Sequence, residues 1–350
     1  MIGVKAMNIL SGLLAMSVML SACAAPPPSI ETDTTTMIQT QVFTDSLNTV
    51  KTGFITEQIL AGADGDIHYS YYLPEGYDET RNYPLMMTMP GYDMMWFGEQ
   101  SSGSNLGWTG FRSWTELDED MIVVSAQLTD WGEKSVRQAI ELTEYFIRNF
   151  AVDENRVYAA GYSAGGETMS RAISMRPDLY TAYLHGASQW DGTFEPVAEN
   201  RVAVYIFMAE NDEYYGSQKA RSAYNGLHDA YEDVGLRDEQ IDQLLQLEIP
   251  DNAYFNALGI HGNYHGGGNV LFDDEQILNW ILSARRPEGD RVENAGFSDE
   301  NAIAAYALNT VEWARANGIV NGKSGNRFDP KGNATRAEVA TILRNYMETQ

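Results

Sequence analysis

The chain is poor in cysteine, in positive charge and in long apolar runs. Its single cysteine, Cys23, rules out an intrachain disulfide. Lysine and arginine number 23 against 49 aspartates and glutamates, a formal charge of −26. That excess of carboxylates repels phosphate backbones and excludes nucleic acid as a partner. The apolar stretch from Ile9 to Leu20 is too short to span a bilayer. Neither a spaced cluster of metal ligands nor a phosphate-binding loop occurs, so no cofactor and no metal are expected. The composition supplies a large core instead: 44% of the 350 residues are hydrophobic and 11% aromatic. This is a folded composition rather than a disordered one.

Lys5, the apolar run and Leu20-Ser21-Ala22-Cys23 form a short export signal. The small residues before the cysteine resemble a bacterial lipobox. The resemblance implies cleavage before Cys23, a diacylglycerol on its sulfur and an extracellular, membrane-anchored protein. Residues 1–22 are therefore expected to be the signal peptide. Residues 23–50, rich in Pro, Thr and Ser, read as a flexible tether.

Strand and helix signals then alternate. Strands are expected over Phe54–Ala61, Ile67–Leu73, Leu85–Met89, Met121–Ala126, Arg156–Ala160, Val202–Met208 and Leu244–Ile249, with another near Leu184–Ser188. Helices are expected over Glu133–Phe150, Ala164–Met175, Gly216–Val234 and Asp273–Ala284. In the first, Val136, Ile140, Thr143, Ile147 and Phe150 share a side. Such alternation predicts an α/β class: a mainly parallel, doubly wound sheet over residues 51–286, covered by helices on both faces. Ligands then bind beyond the carboxyl ends of the strands. Residues 287–294 read as a linker, and 295–350 as a separate helical segment.

Gly161-Tyr162-Ser163-Ala164-Gly165-Gly166 follows a strand and opens a helix. That context is the nucleophile elbow, where the strand-to-helix bend is so sharp that larger side chains two positions from the serine would collide. Ser163 is the expected nucleophile. The Ala164 amide, at the helix N-terminus, is the first expected oxyanion donor. Pro90 has no amide hydrogen, so the second donor is expected at Tyr92 in Pro90-Gly91-Tyr92-Asp93. The triad acid and base should follow the serine in chain order. Asp212 is the expected acid in Ala209-Glu210-Asn211-Asp212-Glu213, with Glu210 nearer the strand end and Glu213 further along. Of five histidines, His68 and His185 come too early and His228 falls in a helix. His265 and His261 remain in the glycine-rich loop 259–268, with His265 preferred because it is glycine-flanked and nearer the last helix. The His265 Nδ1–H would face Asp212 while Nε2 takes the serine proton. Trp and Met residues crowd the stretch after the oxyanion loop (Met94 to Phe97, Trp108, Phe111, Trp114) and suggest an apolar acyl or aromatic pocket. Trp190, Trp131 and His261 are the substrate-contact candidates.

The region from Tyr71 to Ser283 resembles the α/β-hydrolase superfamily, closest to its polyhydroxybutyrate-depolymerase-like, feruloyl-esterase-like and prolyl-oligopeptidase-family members. The carrying residues are Asn155-Arg156-Val157-Tyr158, Gly161 to Gly166, Asn211-Asp212 and the His265 loop. The resemblance implies a Ser163–His265–Asp212 triad and an ester substrate, with acetyl or feruloyl esters of polysaccharides the leading expectation. A serine peptidase on the same triad, or an inactive wall-binding module, are the alternatives. The C-terminal segment resembles one S-layer homology repeat, on Phe297-Ser298-Asp299, Val311-Glu312-Trp313-Ala314, Gly318 to Gly322, Phe328-Asp329-Pro330 and Thr335-Arg336-Ala337-Glu338. That implies a cell-wall polysaccharide partner met by an exposed Arg336. Thr335 and Glu338 have capping-box spacing at the last helix.

Overall fold

The computed structural model describes residues 52–95 and 104–286 and, further on, 297–299, 302–303, 311, 314–315, 319–323 and 327–348. The expected signal peptide (1–22), Cys23, the tether (23–50), Trp96, Phe97 and the linker (287–294) lie outside the described residues. Among the described residues no helix is long and apolar enough to cross a membrane.

Eight strands form one sheet: β1 (Gly53–Gly62), β2 (Gly65–Leu73), β3 (Tyr83–Met89), β4 (Ile122–Gln127), β5 (Val152–Tyr162), β6 (Ala182–Gly186), β7 (Ala203–Phe207) and β8 (Leu245–Glu248). Their spatial order is β1-β2-β4-β3-β5-β6-β7-β8. β2 runs antiparallel to both β1 and β4, and every pairing from β4 to β8 is parallel. This is the expected mainly parallel sheet. Its first three strands in spatial order add an antiparallel edge that alternation of strands and helices cannot reveal.

The central strands are buried on both faces, and the two-residue period of a strand sends alternate side chains to opposite cores. Leu85, Met87, Ile122, Val124, Val157 and Ala159 join one cluster, with Val136, Leu142 and Phe146 of the helix Glu133–Asn149 and with Met169, Ala172 and Ile173 of the helix Ala164–Met175. Met86, Val123, Tyr158, Ala160 and Tyr162 join the other, with Phe111, Trp114, Ile277, Leu278 and Ile281. Each such large side chain contributes about 1.5–3 kcal/mol when taken from water.

Two details differ from expectation. On the helix Glu133–Asn149, Val136, Ile140 and Thr143 are buried as expected, together with Ala139, Leu142 and Phe146, whereas Ile147 and Phe150 are only half-buried. A 3.6-residue turn carries the stripe round toward Phe146, which the sheet then covers. Trp108, Phe111 and Trp114 do not line a pocket: they are 4%, 0% and 0% exposed and belong to the second core.

The sheet reverses its winding at β3. From there the chain moves first to β4 on one side and then to β5 on the other. The crevice beyond the carboxyl ends of β3 and β5 is the expected ligand position for such a sheet. Register places Met89 beside Gly161, so the loop after β3 and the turn after β5 emerge together.

Candidate active site

Ser163 occupies the single residue between β5 and the helix Ala164–Met175, with φ 54° and ψ −126°. A non-glycine residue in this region stores about 1–3 kcal/mol of strain, tolerated only where the surroundings over-determine it. They do so here. The Ser163 amide donates to Gly186 O at 3.0 Å, and its carbonyl accepts from Gly166 N at 2.8 Å and Glu167 N at 3.2 Å. The Ser188 hydroxyl donates to the same carbonyl at 2.7 Å. Glycine is required on both sides of the bend: a Cβ on Gly165 would lie 2.3 Å from Met89 O, and one on Gly161 2.8 Å from Gly165 O.

The structure brings three of the expected residues into one chain of contacts. Ser163 Oγ lies 3.0 Å from His265 Nε2. His265 Nδ1 lies 2.8 Å from Asp212 Oδ2. The Asp212 side chain is fully buried, and its other oxygen accepts the amides of Tyr214 at 2.9 Å and Tyr215 at 2.8 Å. Burial pushes the Asp212 carboxyl up, but the bonds from His265, Tyr215 and Tyr214 outweigh it and hold the group below the usual carboxylate range. A carboxylate at Nδ1 favours the tautomer that carries its hydrogen there, which turns Nε2 toward Ser163 as an acceptor.

The alternatives weighed from sequence are occupied otherwise. Glu210 is exposed, and the Glu213 carboxylate turns to backbone amides rather than to the ring. His261 is exposed and binds Asn256 Oδ1 through Nδ1 at 2.9 Å, so it is not among the groups brought to Ser163. His185 is buried between the Tyr183 hydroxyl (2.8 Å) and the Ser188 carbonyl (3.2 Å), and burial pushes its imidazole down to about 4. It is therefore a neutral structural group.

Ala164 heads its helix, where the first amides have no acceptor within the helix. The loop after β3 packs against Ser163: a Cβ on Gly91 would stand 3.3 Å from Ser163 Cβ. Tyr92 opens a single 3₁₀ turn in that loop, and its half-exposed ring meets Trp131 edge-on, centroids 5.6 Å apart. Trp131 is likewise exposed. Trp190 packs on His185 (5.4 Å), Phe194 (5.7 Å) and Tyr183 (5.9 Å), and its indole N–H is buried without a partner among the described residues.

Sequence reasoning missed a second layer around the imidazole. The exposed Tyr214 ring lies 4.9 Å from that of His265, and the Tyr215 ring 5.7 Å. The Tyr215 hydroxyl donates to Glu167 Oε1 at 2.6 Å. Burial raises the Glu167 carboxyl, and Asp191 beside it adds to the effect. The Tyr214-Tyr215 pair, two and three positions after Asp212, was a visible signal, since side chains that closely follow the expected acid share its loop. As for metals, His228, Asp229 and Glu232 bring three ligand-type atoms within 4.8 Å on the helix Ser217–Asp233, and they share no residue with the Ser163 site.

Residues 125–236, which span β5, the elbow and Asp212, match the prolyl oligopeptidase family. Residues 296–340 match the S-layer homology domain. A solved thermostable esterase shares the fold at a TM-score of 0.56 and 18% identity, covering 67% of this chain and 63% of its own. The chain has the α/β-hydrolase fold and, in its C-terminal region, a segment that matches the S-layer homology domain. Curated proteins similar to part of the chain include an amylopullulanase of Thermoanaerobacterium thermosulfurigenes, 51% identical over 59 residues, and an exoglucanase, XynX, of Acetivibrio thermocellus, 46% identical over 59 residues. Each match covers 16% of this chain but only 3% and 5% of those relatives.

Within residues 296–340, Phe297, Ile303 and Val311 form a small core. The Phe297 and Phe328 rings stand 5.4 Å apart. The capping box forms as expected: Glu338 N donates to Thr335 Oγ1 at 3.2 Å, and Thr335 N donates to Glu338 Oε2 at 2.6 Å. Arg336 begins the helix Arg336–Glu348 and is exposed.

Proposed function

We propose that this hydrolase is an exported serine carboxylic ester hydrolase held at the cell surface, working through an acyl-enzyme on Ser163. The observation that carries the reading is the pair of contacts at 3.0 Å and 2.8 Å linking Ser163 Oγ, the His265 ring and Asp212, with the serine on strained backbone at a helix N-terminus. His265 Nε2 takes the Ser163 proton as Oγ attacks the ester carbonyl carbon. The oxyanion of the tetrahedral intermediate meets the amides of Ala164 and Tyr92. Each such donor is worth about 3 kcal/mol in the transition state. The intermediate collapses, and the departing alkoxide takes the proton from His265. Water then attacks the acyl group by the same steps and frees Ser163.

Acetyl or feruloyl esters on polysaccharides are the proposed substrates. Exposed Tyr92 and Trp131 beside the elbow suit stacking on sugar or aromatic rings. Two relatives sharing a 59-residue match carry the names amylopullulanase and exoglucanase, which supports a polysaccharide setting. Lipid attachment at Cys23 and wall-glycan contact through Arg336 complete the proposal for location.

Ser163→Ala should lower turnover of a nitrophenyl acetate by several orders of magnitude. Full activity in that variant contradicts the proposal. The match to a peptidase family favours one second reading, a serine peptidase on the same triad. Paired ester and amide substrates with one acyl group decide between them, and preference for the amide removes the esterase reading.

A further inference from the structure

His265 is delivered by a single helical turn, Tyr264–Gly267, set in a glycine-rich loop. The loop contains Gly259, Gly262, Gly266, Gly267 and Gly268; the first two have φ +81° and +86°, and Asn263, next after Gly262, is left-handed at φ 49°. Glycine loses more conformational freedom on ordering than any other residue. Most of the segment 259–267 is exposed or half-buried, so packing does little to fix it. A base must nonetheless stay within hydrogen-bonding reach of the hydroxyl it deprotonates.

Two anchors act on the His265 backbone itself. Its carbonyl accepts from the hydroxyl of Tyr162, the residue before the nucleophile. Its amide donates to Glu213 Oε2 at 2.9 Å, and the neighbouring Tyr264 amide donates to Glu213 Oε1 at 2.9 Å. One carboxylate thus closes on two successive amides, 51 and 52 positions along the chain. It does so from the residue next to Asp212, which grips the ring of the same histidine through Nδ1.

We infer that Glu213 is a positioning residue that ties the backbone of the His265 loop to the acid loop, so that the imidazole is held at both its ring and its main chain. The inference rests on Ser163 acting as the nucleophile with His265 as its base. Burial alone would raise the Glu213 carboxyl, yet the two amide bonds hold it below its ordinary range, consistent with an ionised clamp. Chemistry at the loop depends on a carboxylate here. A glutamine offers one acceptor oxygen and turns its NH₂ toward the second amide, donor against donor. An alanine leaves both amides to water.

The test compares Glu213→Gln, Glu213→Ala, Ser163→Ala and Glu210→Gln in the full chain, on nitrophenyl acetate and on a fluorophosphonate probe. Glu210→Gln removes the same charge from the same loop and serves as the control for a long-range charge effect. A misplacement of about 1 Å costs on the order of a hundredfold in rate. We therefore expect kcat to fall about ten- to hundredfold in Glu213→Gln and further in Glu213→Ala. KM and the thermal midpoint should hardly move, fluorophosphonate labelling should slow in parallel with kcat, and Glu210→Gln should behave as wild type. A merely structural role would lower the thermal midpoint and leave kcat of the folded fraction intact. The inference is overturned if both Glu213 variants keep wild-type kcat, or if Glu210→Gln loses as much as Glu213→Gln. Failure of the catalytic reading itself looks different: Ser163→Ala would then stay active.

Discussion

Replacing Asp212 by asparagine separates the geometry of the acid loop from its charge. Asp212 Oδ1 accepts the Tyr214 and Tyr215 amides at 2.9 Å and 2.8 Å, and a carboxamide oxygen can keep both bonds. Oδ2 faces His265 Nδ1 at 2.8 Å, and Asp212→Asn puts an NH₂ donor there. To meet a donor, Nδ1 must give up its proton, and the neutral ring then carries its hydrogen on Nε2. That nitrogen stands 3.0 Å from Ser163 Oγ and can no longer accept the serine proton. The expected loss in kcat is about 10⁴-fold, or about 5.4 kcal/mol of transition-state stabilisation. Stability should fall far less, by about 1.5–3 kcal/mol, because one charge-assisted bond is lost while the loop's amides stay satisfied. The assay is kcat and KM on a nitrophenyl ester, with the thermal midpoint measured on the same preparation. A folded Asp212→Asn protein that keeps more than about a tenth of wild-type kcat refutes the reasoning, since tautomer control would then be irrelevant.

Two further outcomes follow from the same geometry. Gly165→Ala brings a Cβ to 2.3 Å from Met89 O and 2.4 Å from Pro90 O, both backbone atoms. The elbow must then shift, costing both activity and several degrees of thermal midpoint, which calorimetry and ester turnover measure together. His185 supplies a pH signature. Its folded value of about 4 lies below the reference of 6.5, so the unfolded chain binds the proton more readily. Stability from this group is present above pH 6.5 and is lost as pH drops toward 4, on the order of 2–3 kcal/mol at the acid end. Denaturant titrations at both pH values should show that slope, and His185→Gln should lose that part of it.

Much of the fold was legible because its signals are local. β3, β4 and β7 are short apolar runs, and the two helices that follow β4 and β5 have the right period. The elbow was legible because glycine at both 161 and 165 brackets a serine at a strand-to-helix bend. Chain order alone pointed to Asp212 and His265, but not to the neighbours that decide between them and their rivals. His261 differs from His265 only in the partner it finds, Asn256 Oδ1 at 2.9 Å, and that is a tertiary fact. Glu213 could not be told from Asp212 by spacing, yet one meets amides and the other an imidazole. The expectation for Trp108, Phe111 and Trp114 failed for a related reason. Aromatic density says that a region will be buried, but which side of the sheet buries it depends on where the helix Thr109–Thr115 packs.

The whole account turns on the reactivity of one hydroxyl. Incubating the purified protein with a fluorophosphonate, then digesting it and mapping the adduct by mass, measures this directly. A single adduct on the peptide containing Ser163, absent from Ser163→Ala and slowed in Asp212→Asn, is the predicted result. An unlabelled protein, or an adduct on a different residue, contradicts it.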